Sequence, residues 1–166
     1  GELASNVDIV PTILDACGVA APDGSDLDGM SWLPLLGQQA EAVPWRDSLY
    51  LEVTYTRGVA TKEWKYIATR FPERIRGQIT PANRREYNQE GATRTLGSTE
   101  RVRYNADRLF PGYFADDQLY DLLNDPGEQR NLAGDPEYVG TLRAMQRRLR
   151  EYSQDLPHAF GEFKGN

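Results

Sequence analysis

Leu119-Tyr120-Asp121-Leu122-Leu123-Asn124-Asp125-Pro126-Gly127-Glu128-Gln129-Arg130-Asn131-Leu132-Ala133 puts a strand, a turn and the approach to a helix into one segment. Its first residues are a short apolar run of the kind a buried strand shows. Asn124 to Gly127 is a dense turn signal, because proline fixes φ and glycine permits φ > 0. Asp135-Pro136-Glu137 follows with the chemistry of a helix start. The aspartate accepts free backbone N–H groups, the proline loses nothing at the first helical position, and the glutamate favours the positive end of the dipole. Asp121, Asp125 and Glu128 invite a metal or acid–base reading, but shaping the backbone accounts for them.

Downstream, Pro136 to about Gln154 predicts a helix with Val139, Leu142, Met145, Leu149 and Tyr152 on one stripe, so it should lie on a sheet. Arg143, Arg147, Arg148 and Arg150 crowd its later turns, where the dipole favours cations. Upstream, Ser48–Thr54 alternates apolar and polar residues with the period of a half-buried strand. Gly58–Thr61 and Trp64–Thr69 are the next two strand candidates, joined by a tight Lys62-Glu63 turn that lacks Asn-Gly chemistry. Gln118–Leu122 is the fourth. Strands in sequence with short connections argue for an antiparallel meander.

Between the third and fourth strands, from Phe71 to Asp117, the pattern dissolves. This stretch holds Arg74, Arg76, Arg84 and Arg85 among eight arginines, mixed with Tyr87, Tyr104, Phe110, Tyr113 and Phe114. A connection this long without structure is uncommon in a compact domain and tends to be functional or disordered. Guanidinium forks suit sulfate, phosphate and carboxylate, and aromatic rings suit sugar faces. The competing reading is a solvated loop whose arginines pair with nearby Asp and Glu.

At the start of the chain, Val10, Ile13, Leu14 and Cys17 recur at helical spacing over Asp8–Cys17. Asp8 is the expected cap, Pro11 falls in the first turn, and Gly18 ends the helix in the left-handed region. Ile9 widens the apolar face, which predicts burial on more than one side. The loop Pro22–Gly29 carries Asp23, Asp26 and Asp28, but the spacing fails the calcium-loop pattern of alternate ligands, a central Gly and a closing Glu. Ser31 caps a short helix through Trp32–Leu36, ended by Gly37, and Gln38–Pro44 reads as a linker.

With 166 residues, 39% hydrophobic and 27% charged, the chain has the composition of a globular domain large enough for a core. A net charge of −6 argues against non-specific nucleic-acid binding. No apolar run reaches the roughly 20 residues of a membrane span, so no membrane partner is expected. Cys17 is the single cysteine and cannot form an internal disulfide; His158, the single histidine, has no second histidine for a ligand pair.

Four stretches together resemble the C-terminal part of a sulfatase of the arylsulfatase type, within the alkaline phosphatase-like superfamily. Ser5-Asn6-Val7-Asp8-Ile9-Val10-Pro11-Thr12-Ile13-Leu14-Asp15 with Gly18 is similar to the last core helix of the catalytic domain. Asp28-Gly29-Met30-Ser31-Trp32-Leu33-Pro34-Leu35-Leu36 resembles the linker that follows it. Gly58-Val59-Ala60-Thr61 with Trp64-Lys65-Tyr66-Ile67 is similar to the central hairpin. Leu119-Tyr120-Asp121-Leu122 with Asn124-Asp125-Pro126, Glu128 and Asn131-Leu132 resembles the C-terminal signature. Phe71–Asp117 has no match and reads as an insertion.

The resemblance implies an α+β fold: a small antiparallel sheet of about four strands with a long C-terminal helix packed on it, preceded by a helix of the catalytic domain. Residues 1–37 would then be the last helix and linker of that domain, and 45–166 the C-terminal subdomain with its insertion at about 71–117. The resemblance implies that the subdomain packs on the catalytic domain of the same polypeptide and can line the substrate pocket, and that this chain, without the catalytic residues, is inactive alone. Sulfatases use calcium and a formylglycine made in a Cys/Ser-x-Pro/Ala-x-Arg motif. Cys17 precedes Gly18-Val19-Ala20-Ala21, without the arginine, and is not that nucleophile. No catalytic residue and no metal ligand carries over; Arg74, Arg76, Arg84 and Arg85 are the candidates to meet a sulfated small molecule or glycan in the full enzyme. Family habit implies a periplasmic or exported enzyme, and an exposed Ile9/Ile13 face would permit oligomer contacts. The alternatives are the same part of a phosphodiesterase or phosphonate hydrolase of the superfamily, or an independent binding module.

Overall fold

The computed structural model describes residues 1–37, 44–53, 55–80 and 110–154. The chain divides into two compact units, Gly1–Leu49 and Tyr50–Asn166.

The first unit begins with a 3-10 turn, Asn6–Asp8, that runs into helix α1, Ile9–Ala16. Ser5 rather than Asp8 occupies the extended capping position, at φ −128° and ψ 159°. The Asp8 carboxylate turns back to accept the Ser5 N–H at 2.7 Å, while its own backbone is already helical. The other end follows expectation: Gly18 sits at φ +67°, the Val19 N–H reaches the Leu14 carbonyl and the Gly18 N–H that of Asp15. This double bond pattern satisfies the last carbonyls of the helix. Burial does not follow expectation. No residue of α1 is buried, and Val10 and Ile13 are 53% and 57% exposed. Periodicity marked an apolar face correctly, but nothing described in this unit covers it.

Gly29 packs directly on this entry turn. A Cβ there would stand 2.1 Å from the Val7 carbonyl oxygen, so only glycine fits. The short helix proves to be a 3-10 turn, Leu33–Leu36, and the Ser31 hydroxyl accepts the Leu33 N–H at 3.2 Å while donating to Asp15 at 2.6 Å.

The second unit is a sheet of four strands in the order β1 (Leu49–Val53), β2 (Thr56–Ala60), β3 (Trp64–Thr69), β4 (Asp117–Asp121). The β2–β3 and β3–β4 pairs are antiparallel, with Val59 opposite Tyr66 and Tyr66 opposite Leu119. β2 starts two residues earlier than predicted and gives up Thr61 to the turn. There the Thr61 hydroxyl accepts the N–H groups of Glu63 and Trp64, supplying the local bonds that Asn-Gly would otherwise provide. A single turn of helix, α2 (Glu73–Arg76), appears in the stretch read as patternless.

Asp135 caps as predicted, accepting the Glu137 N–H at 3.1 Å, and a 3-10 turn leads into α3, Val139–Ser153. Met145 and Leu149 of α3 close the core with Val59, Tyr66, Ala68, Leu119 and Leu132, so the helix lies on the sheet. Full burial of each of the valine, leucine and methionine side chains contributes roughly 1.5–3 kcal/mol. At the ends of the stripe, Val139 stays 46% exposed and the Tyr152 ring stacks on Tyr50 at 5.7 Å.

Candidate functional site

The candidate site is the region where the chain leaves β3 and returns to β4. Outgoing, Arg70 follows the last residue of β3; its guanidinium donates to the Asp117 carboxylate at 2.9 Å and to the Asp116 carbonyl. Arg76, at the end of α2, meets the Asp116 carboxylate through two parallel bonds of 2.8 Å each. Phe71 lies between Tyr55 and Phe114, and Phe114 meets Tyr113 edge-on. Arg74 is exposed and forms no ion pair among the described residues. Arg84 and Arg85 lie outside the described residues, as does His158. Of the four arginines singled out in the sequence, the two described ones therefore differ: Arg76 is engaged by a carboxylate and Arg74 faces solvent.

β4 is tied to this region from behind. The Asp117 carboxylate that holds Arg70 also accepts the hydroxyl of Tyr66 at 2.5 Å, and Gln146 of α3 donates to the same hydroxyl at 3.4 Å. Asn131 completes the outer edge of β4: its side-chain oxygen accepts the N–H groups of Leu119 and Ala133, and its amide donates to the Asp117 carbonyl, each at 3.0 Å. The side chain thus imitates a neighbouring strand. Burial, followed by the charges of Glu128 and Asp125, pushes the Tyr120 hydroxyl up to about 12, so it stays a neutral donor to Gln118.

The acidic residues of Leu119–Ala133 largely shape the backbone. Asp121 accepts the Asn124 side chain and the N–H groups of Asn124 and Leu123, which together hold its carboxyl below the usual range. Asp125 accepts the Arg130 N–H at 2.7 Å. Glu128 departs from the reading in two ways. It takes the left-handed conformation, φ +56°, that Gly127 was expected to supply, and its carboxylate grips Lys65 at 2.8 and 3.0 Å across 63 residues.

In the first unit the one fully buried carboxylate among the described residues is Asp8. Five N–H groups converge on it: Ser5 N, Met30 N, the Trp32 indole and both terminal nitrogens of Arg46. Burial alone would raise its pKa, but the Arg46 guanidinium and the other donors outweigh that and hold it at about 2. Sequence reasoning gave no role to Arg46 or Lys65, because neither pairing has a local signal. Cys17 is exposed at the end of α1. Among the described residues no three His, Cys, Asp or Glu side chains come together as a metal site. No helix among them is long and apolar enough to cross a membrane.

No protein-family model matches the chain. It is 31% identical over 141 residues to an ulvan-active sulfatase of Formosa agariphila, an alignment covering 82% of this chain and 26% of that protein. It is 29% identical over 162 residues to the multifunctional alkaline phosphatase superfamily protein PehA of Trinickia caryophylli, covering 93% of this chain and 26% of that one. The fold is similar to that of BT4656, solved in complex with its substrate D-glucosamine-2-N,6-O-disulfate, at a TM-score of 0.55 and 23% identity over 89% of this chain and 23% of the other. A phosphonate monoester hydrolase of Agrobacterium radiobacter gives a TM-score of 0.54 at 19% identity, covering 90% and 25%. The chain spans about a quarter of the length of each. In these relatives, and in the four stretches that carry the resemblance, the chain is similar to the C-terminal part of sulfatase-type members of the alkaline phosphatase-like superfamily.

Proposed function

We propose that this chain is the C-terminal subdomain, with the last catalytic-domain helix, of an enzyme that hydrolyses sulfate esters of a glycan. The observation that carries this reading is the 31% identity to the ulvan-active sulfatase over most of the chain. The exposed Val7, Ile9, Val10 and Ile13 side chains support a covering surface supplied by the catalytic domain, since apolar faces of this kind mark contact sites. Calcium, the formylglycine nucleophile and export from the cytoplasm belong to that full-length enzyme. In it the 71–117 excursion lines the substrate pocket, with Arg74, Arg84 and Arg85 as sulfate-facing cations and Arg76 beside them, braced by Asp116.

The test is to assay the isolated chain and the full-length enzyme side by side on an aryl sulfate and on a sulfated glycan. The expected result is turnover by the full-length enzyme only. Turnover by the isolated chain refutes the subdomain reading. A second reading, phosphonate or phosphodiester hydrolysis, is supported by the 29% identity to PehA, and a full-length enzyme that prefers a phosphonate monoester to both sulfates would establish it.

A further inference from the structure

The loop Pro22–Gly29, whose spacing fails the calcium pattern, carries the exposed aspartates Asp23, Asp26 and Asp28. None of these carboxylates forms a hydrogen bond or ion pair among the described residues. What differs is the backbone that follows each. Asp23 precedes Gly24 and Asp28 precedes Gly29, while Asp26 precedes Leu27. Glycine has no Cβ, so its nitrogen can approach the preceding side chain unhindered. Gly24 is exposed at φ +76°, in a turn that the Ser25 N–H closes on the Pro22 carbonyl at 3.0 Å. A Cβ on Gly24 would meet nothing within 4 Å. Gly29 is held instead. Its Cβ position lies 2.1 Å from the Val7 carbonyl oxygen, and the Met30 N–H after it donates to the buried Asp8 carboxylate at 2.9 Å.

We infer that Asp23 is a site of spontaneous conversion to isoaspartate, and that the packing of Gly29 on Val7 shields Asp28 from the same reaction. The Gly24 nitrogen attacks the side-chain carboxyl carbon of Asp23. A C–N bond forms, the C–OH bond breaks, and the hydroxyl leaves as water with the amide proton. Water then adds to the α-carbonyl of the resulting succinimide and breaks its bond to the Gly24 nitrogen. The chain now runs through the former side-chain carbonyl and a free α-carboxylate remains; addition at the other carbonyl restores aspartate. Nothing is oxidised or reduced, and water is the only co-reactant. At Asp28 the same ring closure would turn the peptide that the Gly29 contact and the Met30 bond hold, so it needs local opening first. None of this depends on the reaction that the full-length enzyme catalyses.

The test is prolonged incubation of the chain at neutral pH, in native buffer and in urea. Each sample is then denatured and digested with a protease that cuts before aspartate but not before isoaspartate. In native buffer, cleavage before Asp23 should be lost at least about tenfold faster than cleavage before Asp28, the factor that opening a buried hydrogen bond imposes. In urea the two rates should converge. Asp26 should stay cleavable in both, because the Leu27 side chain hinders ring closure. Asp8→Asn weakens the hold on the Met30 N–H and should bring Asp28 towards the rate of Asp23. Cleavage before Asp23 that persists in native buffer overturns the site. Equal native rates at Asp23 and Asp28 overturn the shielding. An Asp28 rate unchanged by Asp8→Asn, with the Met30 amide exchanging fast, overturns the part given to the Met30 bond.

Discussion

Replacing Asp8 by asparagine tests how the first unit is held together. The side chain is fully buried and accepts five N–H groups, two on Oδ1 (Met30 N and one Arg46 nitrogen) and three on Oδ2 (Ser5 N, the Trp32 indole and the other Arg46 nitrogen). Asparagine offers one oxygen. In its better orientation the amide NH2 takes the Oδ1 place and still confronts two donors, one of them a guanidinium whose side chain is 13% exposed. Breaking a buried pair by removing one partner costs about 3–5 kcal/mol. Linkage gives a second figure: a carboxyl moved from 3.8 to about 2 contributes about 2.5 kcal/mol at neutral pH. The sign follows from the depressed value. That stability is fully present above the unfolded pKa near 4 and is lost as pH falls towards 2. Urea titration followed by tryptophan fluorescence, with Trp32 and Trp45 reporting the first unit, should show its transition shifted by at least the linkage figure, and amide exchange at Met30 should become fast. The acid loss of the parent chain should be absent from the variant. An Asp8→Asn variant with a parental urea midpoint, a protected Met30 amide and the same acid slope would refute the reasoning.

Two further perturbations address the sheet. Asn131→Ala removes three bonds and strands the N–H of buried Leu119 and the carbonyl of Asp117; a loss of about 2–4 kcal/mol is expected in urea unfolding followed at Trp64. Asn131→Asp should fall between, since it keeps both accepted bonds. Lys65→Met leaves Glu128 without its partner at a joint whose side chains are only 23% and 20% exposed, and should cost about 1–3 kcal/mol in thermal unfolding, with Glu128→Met added to it restoring part of the loss.

The elements that the sequence made legible are those with local causes. Trp64–Thr69 forms the strand that its apolar spacing predicts, Asp135 caps through a bond within two residues, and Gly18 takes the left-handed turn. The misplacements have one local and one long-range explanation. Thr61 leaves β2 because its hydroxyl serves the hairpin, and Glu128 rather than Gly127 turns left-handed because Lys65 holds its carboxylate. Asp8 looked like a cap because capping is what a short-range reading can see; its partners at Met30, Trp32 and Arg46 are 22 to 38 residues away. The candidate site shows the same division, with the arginines visible in the sequence and the pairing of Arg76 to Asp116 across 40 residues not.

These long-range bonds also tie together the four separately weak stretches that carry the resemblance. Asp8 of the first stretch accepts from Met30 and Trp32 of the second, while Gly29 of the second needs its bare Cα against Val7 of the first. Lys65 of the third stretch is gripped by Glu128 of the fourth, and Tyr66 pairs in register with Leu119. First is joined to second and third to fourth, each joint lying inside one compact unit. A residue such as Glu128 is therefore fixed less by its turn than by the lysine opposite it, and a change on one side of a joint leaves a partly or fully buried group unpaired on the other. The segment Leu119–Ala133 is accordingly one half of a tertiary contact. Its turn chemistry delivers Glu128 and Asn131 to β3 and β4, and that delivery is the physical reason its particular polar residues stand where they do.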